Sequence, residues 1–311
     1  MTYTPELLCT ASSLEEMECL MNAGANAFVI GEAKYGTRLA GEFTLDLVDA
    51  AVKLAKPKDV RIYVSMNNLM DNSLLAELPD YISALGDIGV DAIVFGDPAV
   101  LKAVKKYAPA LGLHWNAEMT STNYATAEYW ARRGASRYVL ARELNMEQIE
   151  DTKTKSEMEI QVQVHGMTNI YHSKRNLVNS YQEHREAAGG QEKSIKHFDG
   201  MYIMEAERPD ERFPIYEDVN GTHIMSSGDI CLLESLHELL AISVDSLKIE
   251  GIMKSMAYNE VVVKAYRKAI DAYLQDPEQY EFQEEWLDAI REVQDENREL
   301  SFGFLYKEQV Y

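Results

Sequence analysis

The chain has only three cysteines among 311 residues, Cys9, Cys19 and Cys231, scattered with no CxxC or other pairing. A disulfide framework is not the organising principle, and no thiolate metal site is suggested. No stretch approaches the roughly 18 uninterrupted apolar residues of a membrane span, and the opening MTYTPELLCTASS has neither the basic nor the apolar region of a secretory signal. A soluble, cytoplasmic protein with no membrane partner is the expectation. Positive charge is also scarce: 30 Lys and Arg against 51 Asp and Glu give a formal net charge of −21. That balance disfavours unassisted binding to a polyanion, because neutralising phosphates needs a basic surface. The excess gathers in the tail, where Asp271 to Tyr311 carries twelve acidic and three basic side chains and reads as a solvated helical face. Common catalytic signatures are missing too. HELLA at His237 lacks the second histidine of HExxH, no GxSxG elbow occurs, and neither Cys9 nor Cys231 has a histidine pattern to recommend it as a nucleophile. His165, His172, His184 and His197 are close in sequence, but their spacings match no metal motif, so no metal site is expected.

What is present is 46% hydrophobic content, enough for a sizeable core, and short apolar runs that alternate with amphipathic stretches. That alternation is the pattern of βα units around a parallel sheet. Strands are expected at Glu6–Ala11, Ala27–Gly31, Arg61–Met66, Ala92–Gly96, Leu113–Ala117, Arg137–Ala141, Glu159–His165 and Asp245–Glu250, with helices such as Ser13–Ala23 and Leu45–Ala55 between them. Eight strands point to a closed TIM-like (β/α)8 barrel. The alternative, an open doubly wound sheet, would be expected to carry a GxGxxG or GxxxxGKS/T turn, and neither occurs. About eighty residues separate the seventh strand from the eighth, far more than an ordinary connection. The expected organisation is a barrel over 1–255 with an insertion at 167–244 that forms a hairpin or small subdomain, then a helical extension over 256–311 packed on the barrel.

Barrel chemistry sits at the C-terminal ends of the strands, so polar residues there are the first candidates. Asn67 and Asn68 end the third strand, Asp97 follows the fourth, Asn116 and Glu118 bracket the end of the fifth, Arg142 and Glu143 follow the sixth, and His165 ends the seventh. The eighth ends in SLKIEG. Side chains two apart point the same way, so Asn116 pairs with Glu118 and Lys248 with Glu250. Lys248, Glu250 and Arg142 are expected to share the barrel mouth, and Gly251 permits a sharp exit that could fold Lys254 back to it. The alternative is that such groups satisfy one another as internal ion pairs.

The segments PELLCTASSLEEMECLMNAGANAFVIG, GTRLAGEFTLDLVDAAVKLA, ASRYVLARELNMEQI and VDSLKIEGIMKS resemble the collagenase-like U-32 peptidase family, and the likeness runs over essentially the whole chain. It implies a barrel-like fold. The family pattern runs from Glu-x-Phe through His-Gly to a cysteine, then Gly-x-Cys seven residues on. Here Gln161 and Gln163 replace the Glu and Phe, Asn169 and Asn176 stand at the cysteine positions, and Lys174 replaces the glycine, while His165, Gly166, Ser173, Arg175 and Leu177 keep the pattern. The second cysteine pair would fall near Ala188–Ile195, where AGGQEKSI has none. Neutral amides are poor substitutes for thiolates, so no iron–sulphur cluster is expected on this chain.

Within the family, the likeness is to the shorter member of a bacterial pair. It implies a role beside a cluster-bearing paralogue in converting the wobble uridine of transfer RNA to 5-hydroxyuridine, with prephenate as a possible co-substrate. Read that way, Glu118, Glu143, His165 and Glu250 are candidates for proton handling, and Arg38, Asn116, Arg142, Arg175, Lys248 and Lys254 for binding a small acid. A collagenase-like peptidase acting alone and a non-catalytic structural partner are the alternatives.

Overall fold

The computed structural model describes residues 3–116, 121–187 and 200–308. Eight parallel strands, Glu6–Thr10, Ala27–Ile30, Arg61–Met66, Ala92–Phe95, Gly112–Trp115, Arg137–Val139, Glu159–Gly166 and Ser246–Glu250, pair in chain order. The eighth closes the ring, with Ser246 opposite Glu6 of the first strand and opposite Gln161 of the seventh. This is the TIM-like barrel that the apolar runs predict. Helices follow each strand, among them Leu14–Ala23, Pro98–Tyr107 and Tyr124–Ala131. The first is fixed by Ser13, whose hydroxyl accepts from Glu16 N, and ended by Gly24 in the left-handed region at φ 113°. The helix Met256–Gln275 packs on Leu14–Ala23 and takes the eighth helical place in the ring, so the boundary at 255/256 falls inside a βα unit. No helix among the described residues is long and apolar enough to cross a membrane.

Alternation along the strands sends Leu7, Cys9, Phe28, Ile30, Ile62, Val64, Ile93, Phe95, Leu247 and Ile249 outward into the main core with the helices. Inward-facing residues stack in layers. The floor is ionic: Arg137, 1% exposed, donates to Glu6 (Nη1–Oε1 2.5 Å) and to Glu159 (Nε–Oε2 2.9 Å), while Tyr63 and Ser246 also donate to Glu6. Burial with a guanidinium nearby pushes His114, which stacks edge-on to Tyr63, well below the ordinary imidazole pKa, so it sits neutral. Above lies an apolar layer of Leu8, Ala27, Val29, Ala92 and Val94. Only above that does the interior become open and polar.

The long insertion begins with the strand Asn169–Ser173, which joins Gly221–Met225, Phe213–Asp218 and Tyr202–Ile203 in a four-stranded antiparallel sheet. Asn220 clasps the insertion to the loops after the second and third strands. Asn220, at the hairpin turn, donates to the Ala33 (3.0 Å) and Gly36 (3.2 Å) carbonyls and accepts from Asn68 Nδ2 (2.7 Å). The chain then returns through Asp229–Cys231, antiparallel to the seventh strand, and the tail strand Leu300–Ser301 adds to that edge.

Candidate functional site

The inward residues at the C-terminal strand ends enclose a cavity of about 80 Å³ at the barrel mouth. Leu8, Val29 and Val94 form its floor, and Thr10, Ser65, Asn67, Asn116, Gln161, Gln163, Lys248 and Glu250 its polar wall. Arg38, Arg142, Asn169, Met167 and Met225 reach it from the loops. Lys248 and Glu250 form an ion pair (2.7 Å), and Glu250 Oε1 also accepts from Thr10 Oγ1 (3.0 Å) and Ile252 N (3.2 Å). The carboxylate is thus held on both oxygens. Arg142 Nη2 donates to the Asn169 carbonyl at 2.9 Å, which sets the direction of its guanidinium. Asn67 Oδ1 accepts from Thr37 N and Ser65 Oγ, both at 2.9 Å, and so pins the loop on which Arg38 sits at φ 55°. Gly41 belongs to the same loop; a Cβ there would meet the Ser12 carbonyl oxygen at 2.2 Å.

The structure therefore brings Arg38, Asn116, Arg142, Lys248, Glu250 and Asn169 to one cavity. It takes the other candidates elsewhere. Lys254 does not fold back to the mouth: its ammonium pairs with Asp229 at 2.6 Å, and Arg298 Nη2 meets the other oxygen of that fully buried carboxylate at 2.8 Å. His165 does not face the cavity either. Across the seventh and eighth strands Lys248 lies opposite Gln163 but Ile249 opposite His165, so Val164 is an extra residue that reverses the alternation. His165 points outward to Tyr258, with Nε2 2.8 Å from the phenol oxygen, and burial lowers its pKa to about 3. It is neutral at physiological pH and shielded from any ligand in the barrel. Gly166, next in the chain, has φ 100°, and a Cβ there would lie 2.1 Å from the Glu250 carbonyl oxygen.

Glu143, Arg175 and Asn176 are exposed and absent from the cavity lining. Asp97 is a helix cap, accepting from Ala99 N at 2.8 Å. Glu118 and Ala188–Ile195 lie outside the described residues. Thr10, Ser65, Gln161 and Gln163 are cavity residues that the strand-end reasoning missed, although they share the inward parity of Lys248 and Glu250.

The donor set does not suit an iron–sulphur cluster. Asn169 lines the cavity whereas Asn176 is on the surface, and both are neutral amides. Among the described residues no group of three or more His, Cys, Asp or Glu could hold a metal ion. Cys9 and Cys231 are buried in separate places, and burial pushes both thiols up in pKa, away from the thiolate form.

Residues 12–310 match peptidase family U32. The chain is similar to tRNA hydroxylation protein P2 of Bacillus subtilis (strain 168), with 46% identity over 99% of both chains. It is also similar to tRNA hydroxylation protein P1 of the same organism, with 33% identity over 100% of this chain and 74% of that one. Among solved structures, a U32 peptidase superposes with a TM-score of 0.50 at 15% identity, covering 80% of this chain and 94% of its own, a likeness of fold. The closed barrel, the chain-long match and these relatives together make the protein a member of peptidase family U32.

Proposed function

We propose that this chain works in the 5-hydroxylation of wobble uridine in transfer RNA, paired with a cluster-bearing paralogue that supplies the redox centre, and that its cavity takes a small organic acid of the prephenate class. One observation carries the reading. Among the described residues three cations, Arg38, Arg142 and Lys248, converge with one carboxylate, Glu250, on one cavity of a chain whose formal charge is −21. Opposite charge gathered in a concave site of low dielectric attracts an anion far more strongly than the same groups would in water. Guanidinium meets carboxylate with two parallel hydrogen bonds, and Arg142 is already oriented by Asn169. Glu250 is the carboxylate placed to exchange a proton with such a ligand, and Lys248 fixes its position in the resting site.

The similarity to proteins P1 and P2 of Bacillus subtilis supports the RNA assignment and the pairing. A peptidase acting alone fits the cavity less well. Two of its three lining hydroxyls are spent on the frame, Thr10 donating to Glu250 and Ser65 to Asn67, and no histidine is among the described residues that could activate the third, Thr37, from the cavity lining. The test is nucleoside mass spectrometry of transfer RNA from a strain lacking this chain and every homologue. Loss of 5-hydroxyuridine derivatives, restored by the wild-type chain and reduced at least tenfold with Arg142→Ala at a near-native melting temperature, is the expected result. Unchanged modification in the deletion strain would sink the assignment.

A further inference from the structure

We infer that the surface formed by the ends of the helices Pro98–Tyr107 and Tyr124–Ala131 is a contact site for the phosphate backbone of RNA. This deepens the proposed function and rests on it for the identity of the RNA. The helix Pro98–Tyr107 carries Lys102, Lys105 and Lys106 and no acidic residue; the other is followed directly by Arg132 and Arg133. All five cations are exposed, and within 98–107 and 124–133 Glu128 is the one acidic residue. The two clusters are contiguous: a Cβ on Gly134 would lie 3.3 Å from Lys105 Cε, so the Lys105 stem rests on the turn that bears the arginines. Among the described residues only Arg132 of the five makes an ion pair, a loose one of 3.9 Å with Glu128. Complementing the helix dipole accounts for a cation in a last turn. It does not account for five against one in a chain where acids outnumber bases.

Aromatic rings are interleaved with these charges. Tyr107 and Tyr129 are exposed, each against a cation: Lys106 4.8 Å from the first ring centroid and Arg133 3.5 Å from the second. Cations for phosphates beside exposed aromatic rings form the footprint of a nucleic-acid surface. Barrel helices run opposite to the strands, so this surface lies at the end away from the cavity. RNA gripped here runs along the outside of the barrel, and the nucleotide being modified is held elsewhere, as a paralogue that carries the reacting base would require.

The experiment is fluorescence anisotropy of the full-length chain with a labelled, unmodified tRNA transcript at salt concentrations from 50 to 200 mM. Each phosphate that a variant leaves unneutralised lowers the slope of log K against log salt by about 0.7–0.9, so Lys105→Ala with Arg133→Ala should weaken binding roughly 10- to 30-fold at about 0.15 M salt. Lys53→Ala with Arg291→Ala removes the same charge from other surfaces and should leave affinity within about twofold. Absence of salt-dependent binding by the wild-type chain, equal weakening in both double variants, or unchanged affinity in Lys105→Ala with Arg133→Ala would each overturn the inference. None of these results touches the wobble-modification phenotype, so the failure of this inference and the failure of the proposed function are read separately.

Discussion

Asp229 is fully buried and accepts from Lys254 (2.6 Å), from Arg298 Nη2 (2.8 Å) and from Gln294 Nε2 (2.7 Å), tying the tail to the barrel at one carboxylate. Replacing it with Asn keeps the shape and removes the charge. The Lys254 and Arg298 side chains, 7% and 8% exposed, would then be two buried cations with no counter-ion. Removing one partner of a buried pair costs about 3–5 kcal/mol, which for a chain of this size lowers the melting temperature by roughly 6–10 °C. Lys254→Met should cost less, because Arg298 still neutralises Asp229, and adding it to Asp229→Asn should recover part of the loss. Burial alone would raise the Asp229 pKa, but the Arg298 hydrogen bonds and the Lys254 charge outweigh it and hold the carboxyl well below the ordinary range. A depressed carboxyl contributes stability that is present above the unfolded-state pKa of about 4 and lost as pH falls below it. Thermal and urea melts of the three variants between pH 3 and pH 7 check this. An Asp229→Asn protein melting within about 1–2 °C of wild type at pH 7, on the scale of about 2 °C per kcal/mol, would refute the account.

Three further outcomes are expected. The buried His165, with its pKa lowered to about 3, stays neutral in the folded chain but takes a proton near pH 6.5 when unfolded, so stability falls as pH drops from about 6.5 towards 3; His165→Gln should flatten that slope in urea melts, and an unchanged slope would count against it. Gly166→Ala combines a positive φ with an approach of 2.1 Å to the Glu250 carbonyl oxygen, so it should lower both melting temperature and small-acid binding by calorimetry; a native-like variant would show that the strand crossing is looser than described. Purified protein should be colourless, and anaerobic reconstitution should add no thiolate-to-iron absorption near about 400 nm; incorporation of about four irons and four sulphides per chain would overturn the reading of Asn169 and Asn176.

The barrel is legible in the sequence because each strand announces itself by a short apolar run, and every one of the eight lies within a residue or two of its expected bounds. Lys248 and Glu250 are legible for a related reason: period-two alternation near a strand end fixes which side chains share the interior, whereas Arg142 reaches the cavity from the loop after the sixth strand. Alternation also explains the failures. His165 has the parity of Gln161 and Gln163, and a single extra residue at Val164 turns it away, a register irregularity that no pattern in EIQVQVHG betrays. Lys254 lies four residues beyond the strand, where direction is decided by a carboxylate at Asp229 that is distant in sequence. The frame around the cavity, Asn67 holding the Arg38 loop and Asn220 holding its neighbour, depends on hydrogen bonds that span 30 and 184 residues, beyond the reach of local reasoning.

The ionic floor of Glu6, Arg137 and Tyr63 has a kinetic consequence. With Leu8, Val29 and Val94 above it, the floor leaves the barrel a cup with one opening rather than a passage. A small molecule must enter and leave by the mouth. Any large molecule that covers the mouth must therefore arrive after the small one and leave before it.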